Sequence, residues 1–157
     1  MLHLPAIMPV SNKDLSYTGS GFGMRFHPIL RINRMHEGLD FIAPAGSEVY
    51  ATADGVVANA RVSGTFGNII EIDHGFGYRT LYAHLQAFNV KAGETVKRGQ
   101  VIAWVGNTGL SAGTHLHYEV HFKGREIDPV HYFFNDLSSQ EYEQIIKLAS
   151  EHKTSLD

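Results

Sequence analysis

Short β-rich runs separated by glycine-bearing turns recur through most of this chain, and that rhythm restricts its fold more than any other feature. Six runs read as strands: Glu48–Ala51, Gly55–Val62, Asn68–Asp73, Tyr78–Leu85, Val101–Val105 and His115–Phe122. The turns between them carry Ala53-Asp54-Gly55, Ser63-Gly64-Thr65, His74-Gly75-Phe76-Gly77, Lys97-Arg98-Gly99 and Asn107-Thr108-Gly109. Many short strands joined by glycine turns specify a mainly β, antiparallel domain, a sandwich or barrel. One helix follows. Ser138-Ser139-Gln140-Glu141 is a capping box, in which the serine and glutamate satisfy each other's backbone amides. Tyr142, Ile145, Ile146 and Ala149 then keep helical spacing, which predicts one amphipathic C-terminal helix packed on the edge of the β domain. The tail after His152 is expected to fray.

Composition narrows the class of function. The 157 residues carry a net charge of −3 with no basic cluster, so a nucleic-acid partner is not expected. No cysteine is present, which excludes disulfides and thiolate metal sites. No run of about 18 apolar residues could cross a membrane as a helix. Met1–Val10 is apolar but holds two prolines and no basic start, unlike a signal peptide.

The chemistry concentrates in two segments, His36-Glu37-Gly38-Leu39-Asp40 and His115-Leu116-His117. Imidazole and carboxylate are the ligands of catalytic zinc, which takes three protein ligands and leaves one position for water. Side chains two apart on a strand share a face, so His115, His117, Glu119 and His121 line one face, with Leu116, Tyr118, Val120 and Phe122 on the core face. By the same alternation Tyr78, Thr80, Tyr82 and His84 share a face, and His84, at the strand end, is placed to border the same cleft. Gly38 between His36 and Asp40, with Pro44 following, favours a loop running into a strand over a helix. Glu37 does not belong to an HExxH motif and reads as a surface or supporting residue.

These segments sit in a longer series. Ser20-Gly21-Phe22-Gly23-Met24-Arg25-Phe26-His27-Pro28, His36–Phe41, Gly67-Asn68, Gly77–Leu85, Val101–Gly109, Ser111–Val120 and Asp128-Pro129 follow one another in order. In this the chain resembles the lysostaphin-type zinc peptidoglycan endopeptidases, the M23 or LytM-domain family, and its Arg25-Phe26-His27-Pro28 segment resembles the branch found in Gram-negative envelopes. The resemblance implies a lysostaphin-like β-sandwich or half-barrel with a C-terminal helix. It divides the chain into an N-terminal lead-in (1–19), the peptidase domain (20–134) and a C-terminal helix and tail (135–157).

Carried over, the family's zinc ligands fall on His36, Asp40 and His117, and its two catalytic histidines on His84 and His115. His115 is the first choice for general base. His84 would orient the water or stabilise the oxyanion, and the two roles are exchangeable at this level. Arg25 and Arg31 are candidates for a substrate carboxylate, and Tyr78 for a donor to the intermediate. The implied cofactor is one Zn2+ per chain, and the implied substrate is the peptide cross-link of peptidoglycan, a D-alanyl to meso-diaminopimelate bond in Gram-negative relatives. The implied location is the periplasm or cell envelope, with any export signal or membrane anchor lying in a longer parent chain. Two rivals share the fold. A non-catalytic LytM-like module would bind or activate other cell-wall hydrolases, but here all five site residues are intact. Val90–Ile102 also resembles biotinyl and lipoyl carriers and a sugar phosphotransferase domain, yet neither Lys91 nor Lys97 sits in a carrier turn.

Overall fold

A computed structural model describes residues 3–157; the first two residues of the apolar N-terminal run lie outside it. Its elements are β1 (Gly23–His27), β2 (Ile32–His36), β3 (Leu39–Phe41), β4 (Glu48–Tyr50), β5 (Gly55–Ser63), β6 (Gly67–Gly75), β7 (Tyr78–Leu85), β8 (Ala87–Phe88), β9 (Thr95–Val96), β10 (Val101–Trp104), β11 (Leu116–Phe122), β12 (Arg125–Ile127) and α1 (Ser139–Glu151). A single 3-10 turn, Pro129–Tyr132, precedes the helix and is capped by the Asp128 carboxylate, which accepts from the Val130 amide. All six strands expected from the turn pattern form, with ends shifted by a residue or two.

The main sheet runs β12-β11-β7-β6-β5-β9, and β3 pairs with β11 as well. β7 takes one edge of β11, so β3 and β12 share the other, at Leu116–Tyr118 and Val120–Phe122. A smaller sheet, β4-β10-β8, and the β1-β2 hairpin complete the β structure. Every strand pair is antiparallel.

The core lies on the β11 face that carries Leu116, Tyr118 and Val120, packed with Phe41, Ile70, Ile72, Tyr82 and Phe133. Burying a tyrosine strands its hydroxyl unless a partner is provided. Here the Tyr82 and Tyr118 hydroxyls both meet the buried Thr52 hydroxyl, at 3.1 and 2.8 Å. Tyr82 is therefore a core residue, and Asn68 a loop tie, its amide donating to the Leu85 carbonyl at 2.9 Å.

The capping box forms as expected: the Ser138 hydroxyl accepts from Glu141 N–H, and the Glu141 carboxylate accepts from Ser138 N–H. Ile145 and Ala149 are buried while Ile146 is 40% exposed, so the apolar stripe is narrower than the spacing suggested. Ala149 packs on Gly21, where a Cβ would come within 2.9 Å of the alanine methyl. The tail does not fray. Phe26 N–H donates to the Lys153 carbonyl and Ser155 N–H to the Phe26 carbonyl, at 3.0 and 2.9 Å. These bonds pair the tail with β1 in parallel at Thr154.

Candidate metal centre

His36 ends β2, Asp40 is the middle residue of β3, and the two-residue turn between them aims both side chains at β11. Asp40 lies directly opposite His117 in the β3–β11 register, and facing residues of an antiparallel pair share a face. The approach works only because position 38 is glycine. A Cβ there would lie 2.3 Å from the Tyr118 carbonyl oxygen and 3.0 Å from both Glu119 Cγ and His117 Cε1. Gly38→Ala is expected to cost about 1–3 kcal/mol of stability from overpacking and to weaken metal binding, checked by thermal unfolding with and without zinc.

The three candidate ligand atoms form a nearly equilateral triangle. His36 Nε2 is 3.1 Å from Asp40 Oδ1 and 3.2 Å from His117 Nδ1, and His117 Nδ1 is 3.2 Å from Asp40 Oδ1. Tetrahedral zinc with bonds of about 2.0–2.1 Å requires donor atoms about 3.3 Å apart, so the set matches.

Hydrogen bonds around the rim decide which nitrogens point inward. His36 Nδ1 lies 2.8 Å from the Gly21 carbonyl, which can only accept, so Nδ1 carries the proton and Nε2 faces the centre as a lone pair. The Glu119 carboxylate, 2.6 Å from His117 Nε2, likewise leaves Nδ1 as the inward lone pair. With both rings neutral, lone pairs of two imidazoles and a carboxylate converge on one point, an arrangement that calls for a cation, a proton or a metal, at its centre. The same field acts on protons. Burial works against a charged His36, but the Asp40 and Asp157 carboxylates outweigh it and push its pKa up to about 10. A divalent metal answers the same demand.

His115 and His84 stand beside this triangle. Nδ1 of His115 donates to the Gly113 carbonyl at 2.7 Å, and its Nε2 comes 3.8 Å from Asp40 Oδ1, outside the ligand triangle. Nδ1 of His84 donates to the Thr108 carbonyl at 2.7 Å, leaving Nε2 buried with no partner. The two rings lie 4.8 Å apart, centre to centre. Burial, followed by the nearby His115, pushes His84 down to about 4.

Strand alternation alone does not bring His84 here. Tyr82 pairs with Tyr118 and Ala83 with His117, so Tyr82 and Thr80 face the core, and a regular strand would turn His84 away from the metal face. Its backbone instead adopts φ +62°, the left-handed region that non-glycine residues rarely enter. That turn delivers the ring to the His117 side, with Phe66 between the loops, stacked on His117 at 5.7 Å. Such strain persists where surrounding contacts enforce it, and it clusters at functional sites.

The family model for Peptidase family M23 matches residues 34–129. A DD-carboxypeptidase/endopeptidase, Mpg, from Neisseria meningitidis serogroup B is 48% identical over 120 residues, 75% of this chain and 28% of that protein. The chain belongs to peptidase family M23. The peptidoglycan DD-endopeptidase ShyA of Vibrio cholerae is 44% identical over 104 residues, 66% of this chain and 24% of its own length. Among solved structures, a zinc-containing peptidase from Vibrio cholerae superposes with a TM-score of 0.69 at 40% identity, over 78% of this chain and 38% of that one. The chain thus spans under a third of the curated relatives it matches. The antiparallel β architecture with one C-terminal helix is the lysostaphin-like arrangement.

Within this M23 domain the other residues singled out fall in different places. His36, Asp40, His117, His115 and His84 converge. Arg25 does not join them: its guanidinium donates to the Met24 and Ala149 carbonyls at 2.9 and 3.4 Å, tying β1 to the end of α1. Arg31 sits exposed in the hairpin turn at φ +59°. Tyr78 is also elsewhere. It pairs with Phe122 across β7–β11, and its ring packs on Phe122 and Tyr132 at 4.7 and 5.7 Å; the turn at His84 takes that ring off the face on which the two were grouped. The cleft is lined instead by Arg34, Glu37, Thr65, Phe66 and Leu110 around the histidines.

Two contacts to the centre were not assigned from the sequence. Glu119 shares the His117 face, as alternation required, but its bridging role needed coordinates: it holds His117 Nε2 and His121 Nε2, each at 2.6 Å. Burial raises its pKa, yet the two imidazoles more than compensate and hold it at about 2. Carboxylates that fix a ligand histidine are worth 10–100-fold in metal affinity. Glu119→Gln is expected to weaken zinc binding by about that much, measured by competition with a chromophoric chelator. The second is Asp157, whose Oδ2 is 2.8 Å from His117 Nδ1 and whose Oδ1 is 3.3 Å from His36 Nε2. No periodicity or motif in the sequence points to it.

Proposed function

We propose that this domain is a zinc-dependent endopeptidase that hydrolyses D,D peptide cross-links in peptidoglycan in the cell envelope. The observation that carries the reading is the triangle of His36, Asp40 and His117, with every imidazole tautomer set by an outer acceptor so that lone pairs converge. The names of Mpg and ShyA support the substrate class, and the zinc-containing neighbour supports the metal. Zinc, when held by His36 Nε2, Asp40 Oδ1 and His117 Nδ1, supplies Lewis acidity toward the scissile carbonyl and a water acidic enough to attack near neutral pH.

The chain's own groups complete the chemistry. His115 Nε2 accepts a proton from the attacking water, and the resulting imidazolium is favoured by the Asp40 carboxylate 3.8 Å away. The Gly113 carbonyl holds the ring in the tautomer that leaves Nε2 free for this step. His115 then returns the proton to the leaving amine. His84 fits the water-orienting role better than an oxyanion role, because its proton is committed to Thr108 and Nε2 can only accept.

Purified cross-linked sacculi test the reading directly. Release of monomeric muropeptides, abolished by a chelator and restored by zinc, is expected. Zinc-loaded protein that leaves the cross-links intact contradicts it.

A further inference from the structure

The task of holding a substrate carboxylate, which neither Arg25 nor Arg31 is placed to perform, falls to a third arginine of the same hairpin. Arg34 stands two residues before His36 on β2, and residues two apart on a strand share a face. Its backbone is about 6.6 Å along the strand from that of the metal ligand, within the reach of an arginine side chain. The side chain is exposed, lines the cleft, and makes no hydrogen bond or ion pair among the described residues. Its own face of the hairpin offers it no anion. Arg34 lies directly opposite Arg25, and like charges so placed destabilise a strand pair. Arg25 gives its guanidinium to the Met24 and Ala149 carbonyls, which leaves its Nε buried without an acceptor. His27 shares this face. Its Nδ1 accepts from the Leu30 N–H, so Nε2 carries the proton, and that buried donor has no partner either. One face beside the metal centre thus carries a surplus of donors and positive charge. Apart from the histidines, every other charged residue in the cleft wall is acidic: Glu37, Glu119 and Asp157. Arg34 is the one side chain of the wall that attracts a carboxylate.

We infer that Arg34 sets the specificity of the cleft by binding the free carboxylate on the carbon that bears the leaving nitrogen. This rests on the peptidase reading above and names the cross-link that the site prefers. In a D-alanyl to meso-diaminopimelate bond, the scissile nitrogen belongs to an amino-acid centre whose own carboxylate is free. A cross-link made through a bridge of further amide-linked residues has no charge at that carbon. The scissile carbonyl and this carboxylate are joined only through the nitrogen and one carbon. A carbonyl positioned at the metal therefore brings the carboxylate to the part of the wall beside His36. A guanidinium takes a carboxylate through two parallel N–H bonds, and a site built for a polar partner discriminates against an analogue that lacks it. Hydrogen bonds to charged groups are worth about 10–100-fold. Solvent at the exposed Arg34 places the effect near the lower end, about tenfold.

Matched cross-linked muropeptide dimers test this with the zinc-loaded whole chain. In the first, the diaminopimelate carboxylate beside the scissile amide is free; in the second, it is a carboxamide. The third carries its carboxamide on the diaminopimelate of the other strand. Wild type is expected to cleave the first dimer with kcat/KM on the order of tenfold above the second, and to treat the third like the first. High salt should shrink the preference. In Arg34→Gln the preference should disappear, and Arg34→Lys should keep part of it, having the charge without the fork. Zinc content of each variant separates loss of the contact from disturbance of His36; if Arg34→Gln loses zinc, Arg34→Lys and the wild-type series decide. Equal cleavage of the first two dimers by wild type overturns the assignment, and so does a preference that survives in zinc-loaded Arg34→Gln. Discrimination against the third dimer instead of the second places the recognised carboxylate on the other strand and overturns it too. If no dimer is cleaved, the peptidase reading fails, and equilibrium binding of the same dimers decides the contact. Tighter binding of the free acid, lost in Arg34→Gln, then sustains it; equal binding overturns it.

Discussion

His115→Ala will keep one zinc per chain and lose about 10²–10⁴-fold in turnover, the range that a positioned general base contributes. The expectation follows from where the ring stands. Its Nε2 is 3.8 Å from Asp40 Oδ1 and outside the ligand triangle, whereas its Nδ1 is tied to the Gly113 carbonyl. Removing it leaves His36, Asp40 and His117 with their own outer hydrogen bonds, so the metal has no reason to leave. The measurement pairs zinc content with single-turnover cleavage of a cross-linked muropeptide dimer. A drop in zinc content parallel to the drop in rate would make His115 a ligand. Wild-type rates would remove it from the mechanism.

Asp40→Ala and His117→Ala should behave in the opposite way, losing the metal first and the activity as a consequence. Structural zinc sites bind with about 10–16 kcal/mol shared among four ligands. Loss of one ligand is thus worth roughly 10²–10³-fold in affinity. Asp40 carries more than its share electrostatically: it is fully buried and is the carboxylate within 3.1–3.2 Å of both ligand histidines. Without it, paired imidazole lone pairs remain in a buried site with fewer negative charges to draw a cation. Dialysed Asp40→Ala protein should hold under one tenth of the wild-type zinc by elemental analysis, about the occupancy such an affinity loss leaves. Full retention by either variant would break the proposed ligand set.

Much of this site can be read from residues alone, for definite reasons. His115, His117 and Glu119 fall on one face because β11 is a regular strand, and period-two alternation is geometric. Asp40 is identified through the family motif and not through spacing: its place opposite His117 rests on β3 pairing with β11, a contact far apart in sequence that Gly38 permits. Alternation failed where the backbone left the strand region. His84 at φ +62° turns to the face opposite the one its strand assigns it, and Tyr78, grouped with it, stays among Phe122 and Tyr132. Arg25 was legible as a cation but not as the partner of a helix carbonyl, Ala149, since that contact joins residues distant in sequence. The same holds for the tail: six residues after a helix carry no periodic signal, and their pairing with β1 exists only in the folded chain. The strands β8, β9 and β12 escaped for a simpler reason, being two or three residues long and too short for alternation to register, and β2 because its first four residues are exposed and no buried face imposes a period.

The most direct test of the whole account is an anomalous difference map recorded at the zinc absorption edge from crystals of the zinc-loaded protein. One peak bonded to His36 Nε2, Asp40 Oδ1 and His117 Nδ1 is the predicted result. A peak at the neighbouring cluster of Glu119, His121 and Glu126, or none at the triangle, would contradict it.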